Sequence, residues 1–313
     1  MPKTMRLGVD LGGSKIEVIA IDAAGSERLR RRVATPIDDY DATLATIATL
    51  VRDAERELGL VAGAASVGIG TPGSQSRATG LLRGSNSVCL NGRPIREDLR
   101  RILGRDVRIT NDANCFALSE AMDGAGTGMA VVFGVILGTG VGAGIVVRGA
   151  LLEGPNGIAG EWGHNPLPWP RDDERPGAAC YCGRTGCIET WLSGPGLVRD
   201  HVQITGERRT APEIAVKALA GDAYCVASLR RYEERLARGL AAVINVLDPD
   251  VIVLGGGLSN LDRLYDNVPR LWGPWVFADR VDSRLLRNAH GDSSGVRGAA
   301  WLSGGDAASH MPT

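Results

Sequence analysis

Three stretches of the chain combine residue types that few chemistries require together. Asp10-Leu-Gly-Gly-Ser-Lys15 follows an apolar run and sets a carboxylate, two glycines, a hydroxyl and a cation side by side. Backbone N–H groups in such a turn, here Gly12 and Gly13, can form an anion-binding concavity. Ser14 and Lys15 would add a hydroxyl and a positive charge where phosphates lie. Asp10 could hold Mg2+, directly or through water, as phosphoryl transfer requires. Neither the Walker spacing nor the dinucleotide fingerprint is present. Taken alone, the same residues fit a plain β-hairpin with a Gly-Gly turn equally well. A second glycine loop runs through Gly138, Thr139 and Gly140 to Gly144, and a third is Gly255-Gly256-Gly257, placed before an expected helix. A helix N-terminus there would favour a nucleotide's negative charge. Three loops, each after a strand, favour a divided nucleotide site over three unrelated turns.

Asn111-Asp112 lies at a strand end before a helix. Both residue types are favoured helix caps. The chemical alternative is a general base at Asp112 that takes the proton of an attacking hydroxyl. Cys180, Cys182 and Cys187 fall within eight residues. With no signal region at the start of the chain, such a cluster reads as metal rather than disulfide. Three thiols lack one ligand for tetrahedral zinc, and His164 is the candidate fourth. A Cys3His set is closed, hence structural. Glu161 and Glu189 flank it, and carboxylates and imidazole suit sugar hydroxyls, which both donate and accept. Cys89, Cys115 and Cys225 are scattered and read as ordinary buried residues.

The elements that must position these groups follow from the pattern. Arg6–Leu11, Lys15–Ile21 and 29–34 read as strands, and 40–58 as an amphipathic helix. Further strands are expected at 66–70, 107–110, 130–137, 145–147 and 250–254. Helices are expected at 113–122, 231–247 and 296–302. VDLGGSKIEVIAI (9–21) is echoed by VILGTGVGAGIVV (135–147), which suggests two related domains that open with the same hairpin. The length, 313 residues, also suits about two domains. With 35 basic against 36 acidic residues, bulk charge gives no footprint for nucleic acid. No apolar run is long enough for a membrane span, and a cytoplasmic location is expected.

DLGGSK (10–15), GIGTPG (68–73), NDAN (111–114), LGTGVGAG (137–144), GEWGH (160–164), CYCGRTGC (180–187) and GGGLSN (255–260) together resemble the ROK family of repressors, open reading frames and sugar kinases. The resemblance spans nearly the whole chain. GEWGHNPLPW (160–169) and HGDSSGVRGAAWL (290–302) look like its bacterial fructokinase branch. It implies an α/β, actin-like (ribonuclease H-like), two-lobed kinase with a duplicated βββαβα-type core and ATP in the cleft. The small lobe is expected at 1–116 plus 293–313 and the large lobe at 117–292. Asp112 would be the base. Asn86, Asn111, Glu161, His164 and Glu189 would contact the sugar. His164, Cys180, Cys182 and Cys187 would bind structural Zn2+, with the second nitrogen of His164 near the sugar. Ser14 stands where many members have threonine, and Thr71 where isoleucine is frequent.

The implied reaction is transfer of the ATP γ-phosphoryl to the 6-hydroxyl of a hexose, with Mg2+. Fructose is the expected substrate; mannose, glucose, N-acetylglucosamine and N-acetylmannosamine are the alternatives. A sugar-sensing regulator is disfavoured because the first strand is expected to begin near Arg6, leaving no room for a helix-turn-helix domain, and a non-catalytic binding protein because Asp10, Lys15 and Asp112 are intact. The family likeness suggests a homodimer.

Overall fold

A computed structural model describes residues 5–85 and 87–303 of the chain. The strands are β1 (Arg6–Leu11), β2 (Lys15–Ile21), β3 (Glu27–Ala34), β4 (Ser66–Thr71), β5 (Ser74–Gln75), β6 (Leu82–Arg83), β7 (Arg108–Asn111), β8 (Val131–Leu137), β9 (Val141–Val147), β10 (Ala150–Leu151), β11 (Val251–Gly255) and β12 (Arg284–Arg287). The α-helices are α1 (Tyr40–Glu57), α2 (Ile95–Leu103), α3 (Asp112–Met122), α4 (Ile188–Leu192), α5 (Gly194–Thr205), α6 (Ala211–Leu219), α7 (Ala223–Leu247), α8 (Arg263–Trp272) and α9 (Ser294–Trp301). The tail at 304–313 lies outside the described residues.

Two sheets repeat one arrangement. Their strand orders are β3-β2-β1-β4-β7 and β10-β9-β8-β11-β12. In the first, β1 pairs antiparallel with β2 and parallel with β4. In the second, β11 pairs parallel with both β8 and β12. The echoed hairpins thus occupy matching places, the topology expected of a duplicated core.

The described residues divide into two compact units, one drawn from Met1–Gly128, Gly144–Ala159 and Asp292–Thr313, the other from Met129–Ala143 and Gly160–Gly291. The cut expected at 116/117 falls inside α3, a single helix that stays with the first unit. Two other expectations shift. Helix α7 begins at Ala223, eight residues before the expected start, because Asp222 accepts a hydrogen bond from the Cys225 N–H at 3.0 Å and caps it. After Gly255-Gly256-Gly257 there is only a four-residue 3-10 turn, Gly257–Asn260, and the next α-helix starts at Arg263.

In the first unit, glycines decide how the layers meet. Gly8 and Gly68 are register partners on β1 and β4. A Cβ on Gly8 would lie 2.2 Å from the Val296 carbonyl oxygen, and one on Gly68 would lie 1.9 Å from that of Ala299. Helix α9 therefore rests on bare backbone. It meets α3 the same way, since a Cβ on Gly298 would fall 1.6 Å from the Cys115 carbonyl oxygen. On the other face of this sheet, Leu7, Val9, Ile16, Val18 and Ile69 form a fully buried core with Ile47 of α1.

Overpacking a tight core costs about 1–3 kcal/mol. Gly298→Ala meets main chain, which cannot swing aside, and is expected at or above the upper end. A chemical-denaturation midpoint equal to that of the unchanged protein would show that the helices can part.

Candidate active site

The strand-to-helix step at Asn111-Asp112 divides two roles between neighbours. Asn111 is the cap of α3: its Oδ1 accepts from the Asn114 N–H at 2.8 Å. Asp112 is the first helical residue, and its Oδ1 accepts from the Ala113 N–H at 2.8 Å. The side chain stays open to solvent. Although the residue reaches solvent, protein packed around its carboxyl displaces part of the surrounding water and raises the Asp112 pKa above its ordinary value, and the Ala113 N–H pulls the other way. Capping therefore falls on Asn111 and not on Asp112.

Asp10 is the penultimate residue of β1 in the same unit, and a Cβ on its register partner Gly70 would touch Cys115 of α3. Burial, then the negative charges of Asp112 and Glu17, raise the Asp10 pKa to about 6, with Lys15 and Arg32 opposing. A carboxylate so placed gains from a cation. The turn after it is tight: the Gly12 N–H donates to the Lys15 carbonyl at 3.0 Å, and Thr35 Oγ donates to the Gly12 carbonyl at 2.7 Å. Gly13 and Ser14 are left exposed. Lys15 Nζ lies 3.9 Å from Glu17, which also binds Arg30 and Arg32. Glu17 escaped the reading of the sequence. Its signal was a glutamate at a buried strand position opposite the Arg-rich β3.

In the second unit, Gly138, Thr139 and Gly140 link β8 to β9. The Gly138 N–H donates to the Gly140 carbonyl at 3.0 Å, and the Gly194 N–H donates to the Gly138 carbonyl at 2.8 Å. Gly256 has φ +79°, and a Cβ there would sit 2.5 Å from the Leu137 carbonyl oxygen, so this loop packs against the first. Glu189, in the first turn of α4, accepts from the Val141 N–H at 3.0 Å. Its other oxygen lies 3.9 Å from Cys180 Sγ. It thus connects the glycine loop to the cysteine cluster.

His164, Cys180, Cys182 and Cys187 come together, their donor atoms all within 4.8 Å of one another. Zn–S bonds of about 2.3 Å imply tetrahedral edges of about 3.7 Å. Two such edges are present: Cys182 Sγ to Cys187 Sγ and Cys180 Sγ to His164 Nδ1, both 3.6 Å. Burial pushes the Cys187 thiol up to about 12, so ionising it calls for a cation. The donor set fits zinc. The second nitrogen of His164, expected near a sugar, instead lies 2.9 Å from the Tyr181 hydroxyl, and the two rings meet edge to face. Glu161 is exposed, just before the 3-10 turn Trp162–His164. Gly163 is required because a Cβ would lie 2.1 Å from the Val141 carbonyl oxygen. Asn86 lies outside the described residues.

The segment between His164 and Cys180 is anchored through Glu174, which is buried and accepts from Arg235 at 2.8 Å and from Arg238 at 2.7 and 2.8 Å. Burial alone would raise its pKa, but Arg238 and Arg235 outweigh that and hold it at about 2. Arg238 also donates to the Trp169 carbonyl at 2.5 Å. No local pattern pointed to this network, because its members are some sixty residues apart.

Two sheets of one topology, each opening with a glycine hairpin, define the actin-like sugar-kinase fold. The comparisons agree. A family model described as "ROK family" matches residues 6–305. An N-acetyl-D-glucosamine kinase of Pectobacterium atrosepticum is 41% identical over 302 residues, covering 95% of this chain and 98% of that protein. The crystal structure of a ROK hexokinase from Thermus thermophilus superposes with a TM-score of 0.84 at 30% identity, covering 95% of this chain and 97% of the other. A ROK glucokinase from Streptomyces griseus, solved with glucose and AMPPNP, gives a TM-score of 0.75 at 29% identity, covering 95% and 98%. The chain belongs to the ROK family, and it is a sugar kinase.

Loss of a side-chain cap costs about 1 kcal/mol. Asn111→Ala is expected to lower stability by that amount, whereas Asp112→Asn, which leaves the cap in place, should unfold at nearly the original midpoint. Equal losses in thermal unfolding would place the cap on both residues.

Proposed function

We propose that the protein transfers the γ-phosphoryl group of ATP to the 6-hydroxyl of N-acetyl-D-glucosamine. The observation that carries this reading is the 41% identity, over 95% of the chain, to an N-acetyl-D-glucosamine kinase. The hexokinase and glucokinase structures stand at 30% and 29%. Fructose, expected from the stretches at 160–169 and 290–302, yields to this substrate. The fructokinase likeness rested on two short segments, whereas the match to the N-acetyl-D-glucosamine kinase covers 95% of the chain.

In this reading Asp112 takes the proton of the 6-hydroxyl as the sugar oxygen bonds to the γ-phosphorus. The bond to the β-phosphate oxygen breaks, giving ADP and the sugar 6-phosphate. Positioning and charge stabilisation supply most of the acceleration. Gly13, Ser14 and Lys15 offer backbone donors, a hydroxyl and a cation to phosphate, and Gly12 closes the turn that presents them. Thr139 and Gly140, in the turn closed by Gly138, and Gly255, Gly256 and Gly257 offer further backbone donors and a hydroxyl to phosphate. Asp10 holds Mg2+, which would neutralise charge on the phosphates. Asn111, Glu161, His164 and Glu189 bind sugar hydroxyls, His164 after exchanging its Tyr181 partner. His164, Cys180, Cys182 and Cys187 hold a structural zinc.

ADP release measured over a panel of hexoses should be fastest, in kcat/KM, with N-acetyl-D-glucosamine. Removing a general base lowers rates by about 10²–10⁴, so Asp112→Asn should lose at least the lower figure while retaining sugar affinity. Faster turnover of fructose would restore the earlier substrate, and near-normal turnover of the variant would dismiss Asp112 as base.

A base must be ionised to work. Since the Asp112 pKa is raised, kcat/KM should fall as pH drops through that raised value, at higher pH than an ordinary carboxylate would give. A profile flat down to the ordinary carboxylate range contradicts the assignment. Elemental analysis should find one zinc per chain, with Cys182→Ser lowering it; a metal-free protein of unchanged stability would remove zinc from the account.

A further inference from the structure

The second unit places a phenol where the sugar reading needs a donor. His164 Nδ1 faces Cys180 Sγ at 3.6 Å, so it is the nitrogen that fits the zinc cluster. An imidazole bound to a cation through Nδ1 carries its one proton on Nε2. That N–H is all the ring can offer on its outer side. It is already engaged: Nε2 lies 2.9 Å from the Tyr181 hydroxyl oxygen. A sugar hydroxyl that accepts from His164 must therefore displace Tyr181.

Tyr181 is built to hold this place and to leave it. Its backbone sits between two zinc donors, Cys180 and Cys182, in a turn closed by the Cys180 N–H donating to the Arg184 carbonyl at 2.8 Å. Its ring meets the imidazole edge to face, with centroids 5.0 Å apart. The residue is nevertheless 80% exposed. A side chain on the surface changes rotamer within nanoseconds. Although the residue reaches solvent, protein around its hydroxyl, then the charges of Glu189, Cys180 and Glu161, push that hydroxyl up to about 12. Both carboxylates assigned to the sugar thus act on the hydroxyl that Tyr181 presents.

We propose that Tyr181 is an internal competitor for the sugar: its phenol stands in for a sugar hydroxyl on His164 and swings to solvent when the hexose binds. The inference rests on the reading of Glu161, His164 and Glu189 as sugar contacts. It makes Tyr181 a specificity-determining residue that sets sugar affinity. A ligand that brings no hydroxyl to His164 leaves the phenol in place, and one that does must be the better acceptor. An aliphatic hydroxyl is the better acceptor, because a phenol shares its oxygen lone pair with the ring.

Calorimetric titration of the whole protein with N-acetyl-D-glucosamine tests this. Tyr181→Phe removes the hydroxyl and keeps the ring. It should lower the sugar Kd about two- to tenfold, the equivalent of one hydrogen bond. Tyr181→Ala, which also removes the ring contact, should lower it as far or further. Damage to the cluster would weaken binding, so a gain in affinity separates competition from a structural role. In the unchanged protein, saturating sugar should alter the tyrosine absorption, and Tyr181→Phe should lack that change. A Kd that is unchanged or raised in Tyr181→Phe, at equal zinc content, overturns the proposal. So does a tyrosine absorption untouched by sugar in the unchanged protein, a measurement that needs no variant. Failure of the underlying readings looks different. No binding of any hexose by any of the three proteins would dismiss the sugar site and this inference with it. Tighter binding in Tyr181→Phe without ADP release would dismiss the kinase reading alone.

Discussion

Helix α9 lies so close to β1 and β4 that no side chain fits between them, and the candidate site in the first unit depends on that contact. Gly8 and Gly68, paired in register, leave a groove of bare main chain for Val296 and Ala299. Interiors are packed as densely as organic crystals, so a contact of this kind fixes distance more strictly than interdigitated side chains do. Through Gly298 the same helix presses on Cys115 of α3. The strand that carries Asp10 and the helix that begins with Asp112 thus belong to one compact unit. Asp10's raised pKa, partly the work of Asp112's charge, follows from that enforced closeness.

The second unit solves its positioning problem with charge. The loop between His164 and Cys180 has little regular structure and would wander without a tether. Glu174 ties it to α7 through Arg235 and Arg238, and Asp200 of α5 also binds Arg235. Buried ion pairs contribute little net stability but leave a costly unpaired charge when broken. Such a tether therefore favours one loop conformation over others, as a preformed four-donor cluster requires. Glu189 extends the order to the Val141 N–H at the base of the glycine loop.

Much of this was legible in the sequence because it is local. The hairpin at 9–21 and its echo at 135–147 became matching strands of two sheets. The four donors His164, Cys180, Cys182 and Cys187 became one cluster. The amphipathic period at 40–58 became α1. What stayed hidden is non-local or conformational. Tyr181's hold on His164 depends on how a loop folds back. Glu174 meets arginines far along the chain. The glycines of β1 and β4 read as weak strand residues until the helix that lies on them is seen. The helix expected at Gly257 failed because Gly256 adopts a positive φ and the chain makes a single 3-10 turn first.

The choice of asparagine rather than aspartate for the cap has an electrostatic consequence. A helix N-terminus carries roughly half a positive charge. An aspartate cap would neutralise part of it before it reached the next residue. Asn111 meets the Asn114 N–H with a neutral amide, so the field of α3 acts undiminished on the carboxylate of Asp112, which also takes the Ala113 N–H. Desolvation drives that carboxyl towards its protonated form, and the uncompensated helix end draws it back. The neutral neighbour leaves the helix end free to oppose part of the desolvation that raises the Asp112 pKa.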